Sequence, residues 1–162
     1  SGSQRGRAIA RHLHLIANHQ VRNAGSWAGN LEMARSHPDF PSDLLLLLIA
    51  SDAQITVQYG KDDTKTKTIT AGDYVAISRE NFAPFVVSCE VDISGPAGFL
   101  HTHKVMGRHV NAHAFVNAAF NFKVDQQGTI VATKMAIGGI QNGPFASERA
   151  ISAMENKPLN NQ

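Results

Sequence analysis

The run Leu44-Leu45-Leu46-Leu47-Leu48-Ile49-Ala50 constrains the fold more than any other stretch of the chain. A helix built from it has no polar face, so every side must be covered. The run is far shorter than the roughly 20 residues that cross a membrane. The cover must therefore be protein, and the segment reads as a buried helix. Ser42 or Asp43, immediately before it, supplies the N-cap.

The neighbouring patterns predict what that helix packs against. Residues 7–19 carry Ile9, Leu13, Ile16 and Ala17 at helical spacing. Asn23 to Asn30 reads as a turn, and Arg35 to Pro41 as a polar loop. Ala53 to Tyr59 alternates like a half-buried strand, the turn Gly60-Lys61-Asp62-Asp63 follows, and Thr64 to Thr70 reads as an exposed strand. Phe85 to Ile93 is a further strand, and Ser94 to Gly98 concentrates Gly and Pro as a boundary. Beyond it, Ala114, Val116, Ala118, Phe120, Phe122 and Val124 alternate, Asp125 to Gly128 turns, and Thr129 to Ile137 pairs back as a hairpin. Ser147 to Glu155 ends the pattern as a helix. The expected class is α+β, divided into residues 1–95 and 96–162.

Composition removes several functions. Lys plus Arg number 15 against 13 Asp plus Glu, a net charge of +2. No broad basic field for nucleic acid follows from that balance. The single cysteine, Cys89, excludes an internal disulfide, a four-cysteine zinc site and an iron–sulfur cluster held by this chain alone. A reducing, cytoplasmic location and no membrane partner fit these features. Ser1-Gly2-Ser3-Gln4 lacks a starting Met and reads as a tag remnant or an internal cut, so the chain is expected to be a piece of something longer.

Eight histidines raise the question of metal. His101 and His103 have strand-face spacing, and His109 and His113 have helix-face spacing. His12 and His14 fall on the expected helix, where a two-residue step points them apart. No third ligand accompanies any pair, so surface or hydrogen-bonded histidines are expected and no metal ligand is assigned. No Ser/His/Asp, Cys/His or paired-carboxylate arrangement is present either, and no catalytic residue is assigned.

The stretch Val21-Arg22-Asn23-Ala24-Gly25-Ser26-Trp27-Ala28-Gly29-Asn30 carries more information. Glycines beside Ser and Asn present bare N–H groups and short polar side chains, the chemistry a phosphate ester needs. The helix start at Ser42-Asp43 adds donors and a favourable dipole. Asp43, being negative, would meet ribose hydroxyls or cap its helix. On pattern alone, a Gly-rich loop between two helices is the favoured explanation of the stretch.

The order Gln20-Val21-Arg22-Asn23, then Gly25 to Asn30, then Pro41-Ser42-Asp43-Leu44 resembles the FAD-binding domain of the xanthine dehydrogenase and aldehyde oxidase family. Those molybdenum hydroxylases share a stretch of the form I/V-R/K-N/S-x-A/G-S-x-G-G-N followed by S-D-L. Phe99 to Lys104, Gly107-Arg108-His109 and Asn111 to Ala114 resemble the start of the family's flavoprotein C-terminal domain. Ala136 to Ile140 and Ala146 to Ala150 resemble that domain's Gly-Gly turn and following helix.

The resemblance implies the second half of a PCMH-like FAD-binding domain followed by the start of a flavoprotein C-terminal-type α+β domain. It implies that Gly25, Ser26, Gly29 and Asn30 line the FAD diphosphate, that Ser42 and Asp43 lie near its adenosine half, and that Lys104 sets a positive charge near the isoalloxazine ring. It further implies partners in a parent protein: iron–sulfur domains with 2Fe-2S clusters, a molybdopterin domain, and NAD or oxygen as acceptor. Ala28 departs from the family's glycine, and its methyl group restricts positive φ. Trp27 replaces a smaller residue, and Leu31 to Pro41 makes a longer connection. An alternative of another class is a noncatalytic interaction or scaffold domain that keeps the fold without the cofactor; a histidine metal module is a third reading.

Overall fold

The computed structural model describes residues 3–60, 65–78, 84–94 and 98–159. Its first part holds helices α1 (Gln4–Leu13), α2 (His19–Ala24), α3 (Trp27–Ser36), α4 (Asp43–Ala50) and α5 (Ala71–Ala76), with strands β1 (Gln54–Gln58), β2 (Thr66–Thr70) and β3 (Phe85–Glu90). The remainder holds β4 (Gly98–Val105), β5 (Val116–Val124), β6 (Ile130–Gly138) and helix α6 (Glu148–Met154). Two antiparallel sheets result, ordered β2-β1-β3 and β4-β5-β6. The architecture is the expected mixture of helix and sheet. Lys61 to Thr64, in the expected turn and at the start of the next strand, and Gly95 to Ala97, in the expected boundary, lie outside the described residues.

Local capping sets where the helices begin. Ser3, Asn18, Ser26, Ser42, Thr70 and Ser147 each accept a backbone N–H from the first turn of the helix that follows, which satisfies a donor the helix cannot. Thr70 and Asp73 close a full capping box on α5.

One stretch folds differently from its sequence expectation. Asn23 to Asn30 is not a turn: α2 runs to Ala24, and only Gly25 and Ser26 separate it from α3. The connection Leu31 to Pro41 is correspondingly short, because residues 31–36 are helical. Gly29 and Asn30 are poor helix formers. They are carried into the helix by the Ser26 cap and by Leu31 and Ala34, which bury in the core beside Leu45, Ile55 and Tyr74.

α4 explains the leucine run. Leu45 and Leu48 enter a core with Leu31, Ile55, Val57 and Tyr74, on the side of the first sheet. Leu46, Leu47 and Ala50 enter a second core with Leu100, Ala119 and Ala136, on the side of the second sheet, flanked by Ile9 and Leu13 of α1. One helix thus supplies both cores, and its sides are apolar because each meets a different sheet. Each fully buried leucine contributes roughly 1.5–3 kcal/mol.

The alternation in β5 locates the strand, but its most buried face is the other one. Asn117, Ala119 and Asn121 are buried, whereas Val116, Ala118, Phe120 and Phe122 are half-buried. The two asparagines face α4 and complete its ends. Asn117 Nδ2 donates to the Pro41 carbonyl at 3.2 Å and to Asp43 Oδ1 at 2.8 Å, while Asn121 Nδ2 donates to the Ala50 carbonyl at 3.0 Å. Four strand residues span about 13 Å, close to the roughly 12 Å length of an eight-residue helix. The strand therefore reaches both ends of the helix it covers.

Candidate functional site

Asp43, the first residue of α4, sits where three other elements converge. Its Oδ1 pairs with His12 Nε2 of α1 at 3.3 Å and accepts from Asn117 of β5, and its Oδ2 meets Lys104 Nζ of β4 at 2.7 Å. The Asp43 side chain is 7% exposed, that of Lys104 1% and that of His12 fully buried. Burial pushes the Asp43 carboxyl up, but the hydrogen bonds from His12, Asn117 and Lys104 outweigh it and hold the group below its ordinary range. The N-terminus of α4 adds favourable dipole for the negative charge. His12 Nδ1 and Asn117 Oδ1 are buried without a partner among the described residues.

Lys104 is therefore not a solvated surface lysine. Its ammonium also donates to the Leu15 carbonyl at 2.8 Å, so the side chain is held by one anion and one carbonyl. The resemblance sets Asp43 near the adenosine half of FAD and Lys104 near the ring. The structure joins the two in one ion pair, so they mark a single point of the molecule rather than opposite ends of an extended dinucleotide.

A polar chain runs from that pair to α3. Ser42 Oγ accepts from Leu45 N at 3.0 Å and donates to Asn30 Oδ1 at 2.6 Å. This fixes the Asn30 carboxamide with its oxygen toward Ser42 and leaves Nδ2 without a partner among the described residues. One turn earlier, Ser26 Oγ accepts from Gly29 N at 3.0 Å. Gly25, Ser26 and Gly29 are exposed, and a Cβ on Gly25 would stand 3.0 Å from the Val21 carbonyl oxygen. Ala28 lies in the first turn of α3, outside the residues with positive φ. The expected conflict between an alanine and a left-handed backbone therefore does not arise.

A cleft of about 350 Å³ opens beside this chain, with Asn30, Asp43, Lys104, Phe40 and His113 among its lining residues. A neighbouring hollow of about 290 Å³ reaches Gly25, Ser26 and Trp27. Ile16, Val21 and Asn30 line both. The donor set fits the polar part of FAD: an exposed helix N-terminus, an unpartnered amide NH₂ and apolar walls for an aromatic ring. Asp43 and Lys104 fit as supports, since their charges already satisfy each other.

Of the seven residues singled out from sequence, Asn30, Ser42, Asp43 and Lys104 form one connected network, and Gly25, Ser26 and Gly29 stand at its α3 end. His12 and Asn117 belong to that network and were not foreseen. The sequence signal for Asn117 is an asparagine repeated four residues on at Asn121, on the face of β5 opposite Val116, Ala118, Phe120 and Phe122; for His12 it is a histidine in register with Leu13 and Ile9. Among the described residues, no group of three or more His, Cys, Asp or Glu side chains is placed to hold a metal ion. No helix among the described residues is long and apolar enough to cross a membrane.

Comparison with known proteins identifies the family. Residues 3–84 match the family described as FAD binding domain in molybdopterin dehydrogenase, and residues 101–162 match the CO dehydrogenase flavoprotein C-terminal domain. Aldehyde oxidase 4 of Arabidopsis thaliana is 49% identical over 153 residues, covering 88% of this chain and 11% of that protein. Abscisic-aldehyde oxidase of Arabidopsis thaliana is 33% identical over 128 residues, covering 74% of this chain and 9% of that protein. The chain thus spans about a tenth of the length of these relatives. A carbon monoxide dehydrogenase from Hydrogenophaga pseudoflava, in a form lacking the Mo-pyranopterin moiety, shares the fold with a TM-score of 0.78 at 20% identity, over 96% of this chain and 52% of that one. The chain therefore belongs to the FAD-binding domain family of the molybdenum hydroxylases, joined to a flavoprotein C-terminal domain of the CO dehydrogenase type.

Proposed function

We propose that residues 1–95 are the second half of an FAD-binding unit, that residues 96–162 begin a flavoprotein C-terminal unit, and that FAD lies in the cleft beside Asn30. The observation that carries this reading is the fixed Asn30 carboxamide. Ser42 holds its oxygen, and its NH₂ is left for a ligand oxyanion next to the exposed first turn of α3. Ser26, Gly25 and Gly29 let the diphosphate approach that turn, and the Asp43–Lys104 pair holds the α4 end of the cleft in place. FAD itself supplies the electron chemistry; the chain binds, orients and shields it.

In the parent protein this unit would pass electrons from 2Fe-2S clusters to NAD or oxygen, with a molybdopterin domain oxidising the substrate, in the cytoplasm. The relatives named aldehyde oxidases favour an aldehyde as that substrate. Ser26→Ala combined with Asn30→Ala in the full-length protein should weaken FAD binding about ten-fold, a loss of roughly 1.4 kcal/mol, read by flavin fluorescence quenching. An unchanged affinity would sink the placement of FAD at this turn.

One observation favours a second reading, a scaffold that keeps the fold without the cofactor: Ser26 Oγ and the Asp43 carboxylate already have protein partners. Absence of any FAD binding by the unaltered protein would support it.

A further inference from the structure

We propose that the hollow at the C-terminal end of α4 binds a small monocarboxylate with an apolar body, held by Arg5 and Ser51. It lies at the opposite end of α4 from the cleft beside Asn30, and the proposal does not rest on the FAD reading. The hollow measures about 540 Å³, within the range of pockets that enclose a small molecule. Its polar lining comes from three elements: Arg5 of α1, Ser51 at the C-cap of α4 and Asn121 of β5. These residues are 7%, 4% and 5% exposed. Arg5 carries a buried positive charge with no ion pair among the described residues. Its Nη1 donates to the Asp92 carbonyl at 2.7 Å and its Nη2 to Asn121 Oδ1 at 3.2 Å, both neutral acceptors. Arg5 Nε and Ser51 Oγ are buried without a partner among the described residues. A buried charge is ordinarily paired and a buried polar atom ordinarily bonded. One carboxylate answers both needs, accepting from Nε and from the Ser51 hydroxyl after a small rotation of each side chain toward the hollow. Asn121 keeps the two donors together, since it bonds Arg5 on one side and the carbonyl of Ala50, the residue before Ser51, on the other.

Electrostatics set the charge of the ligand. Three cations, Arg5, Lys123 and Lys134, line the hollow against two carboxylates, Asp52 and Asp92, which leaves one positive charge in surplus. Lys134 is paired with Asp52, and Asp92 Oδ1 accepts from the Ser94 N–H and hydroxyl. The Ala50 carbonyl, which would repel an anion at this end of a helix, is covered by Asn121. Lys123 is exposed and unpaired among the described residues. A monoanion matches this balance better than a phosphate dianion does. Val124, Val131 and Ala132 complete the lining, and an apolar body packs against them.

The test is titration calorimetry of the intact chain, without flavin, with benzoate, benzamide, inorganic phosphate and glutamate blocked at both backbone ends as probes. Amide NMR shifts locate each probe. Benzoate should bind with shifts centred on Ser51, Asn121 and Lys123. Benzamide, with the same shape and no charge, should bind at least about ten-fold more weakly. Ser51→Ala should weaken benzoate about two- to ten-fold, and Lys123→Gln about two- to five-fold. Arg5→Lys, which keeps the charge and loses the Nε donor, should weaken it about ten-fold. Urea denaturation confirms that each variant is folded, and Ser51→Ala with Lys123→Gln decides the matter if Arg5→Lys is not. No benzoate binding, equal binding of benzoate and benzamide, or an unchanged affinity in Ser51→Ala overturns the proposal. So does tighter binding of phosphate, which would make the ligand a phosphate, or of blocked glutamate, which would make it a protein side chain. Each of these results leaves the FAD reading standing.

Discussion

The Asn117 side chain occupies the volume that a side chain at Gly138 would need. The two residues face each other across β5 and β6, and a Cβ built on Gly138 would collide with Asn117 Oδ1. Since Asn117 Nδ2 holds both the Pro41 carbonyl and Asp43, a glycine on β6 makes room for the group that orients the carboxylate of α4.

Gly138→Ala should therefore act at a distance. Overpacking of this kind costs typically 1–3 kcal/mol, and here it displaces a hydrogen-bond donor as well. A loss of about 2 kcal/mol in urea denaturation is expected. If Asn117→Ala is made first, the added cost of Gly138→Ala should fall by more than half, because the obstruction is gone.

The buried ion pair predicts strong coupling. Asp43→Asn leaves the Lys104 ammonium buried without its anion, and Lys104→Met leaves Asp43 with His12 and Asn117 alone. Each should cost roughly 3–5 kcal/mol. The double variant should cost at least about 1 kcal/mol less than the sum, and simple additivity in the cycle would show that the pair is not coupled. The Asp43 carboxyl is held low in the fold. Its stabilisation is thus present above the unfolded carboxyl pKa and is lost as pH falls through the lower folded value.

A second polar cluster gives a pH prediction with a numbered window. Arg35 donates to Glu32 at 2.7 and 2.8 Å, and Tyr74 donates to Glu32 at 3.1 Å, tying α3 to α5. The Arg35 hydrogen bonds lead in holding the Glu32 carboxyl at about 2, against an opposing push from burial, with Ser36 and Tyr74 assisting. Unfolded Glu32 takes up its proton near the ordinary 4.5, so stability conferred by this group is full above that pH and disappears as pH falls toward 2. Glu32→Gln should remove that part of the acid limb in a melting-temperature profile.

Tyr74 in the same cluster works in the opposite direction. Burial, then the Glu32 hydrogen bond, pushes its hydroxyl up to about 12. Its contribution is present below the unfolded value near 10 and is lost as pH rises through 12. The chain has two tyrosines, so ultraviolet titration can follow them. Tyr74→Phe should delete the step near 12; a step surviving there would reassign it.

The readable part of the fold lay in local pattern. The leucine run, the Ser42 and Ser147 caps and the alternation of β1 and β5 each depend on neighbours a few residues apart. α3 was hidden because Gly25, Ser26, Gly29 and Asn30 favour turns by intrinsic propensity, while the packing of Leu31 and Ala34 that overrides it is tertiary. The Thr70–Asp73 box announced α5 in the sequence, yet its short helix was not foreseen. In the candidate site, Lys104 was singled out only through resemblance, whereas Ser42, Asp43 and Asn30 were also marked by residue chemistry, as a helix cap and as part of a Gly-Ser-Asn stretch. Their mutual contacts, and those of His12 and Asn117, join positions far apart in the chain, which no spacing rule encodes.

The match between α4 and β5 turns the leucine helix into a spacer of fixed gauge. Asn117 and Asn121 grip its two ends, so the distance between those ends is set by a strand that cannot stretch. Substituting one leucine changes how well a core is filled, whereas inserting one residue rotates everything after it by about 100° and sends leucines meant for one sheet toward the other. The segment should accept changes of size far more readily than a change of length, and its count of residues carries more information than their identity.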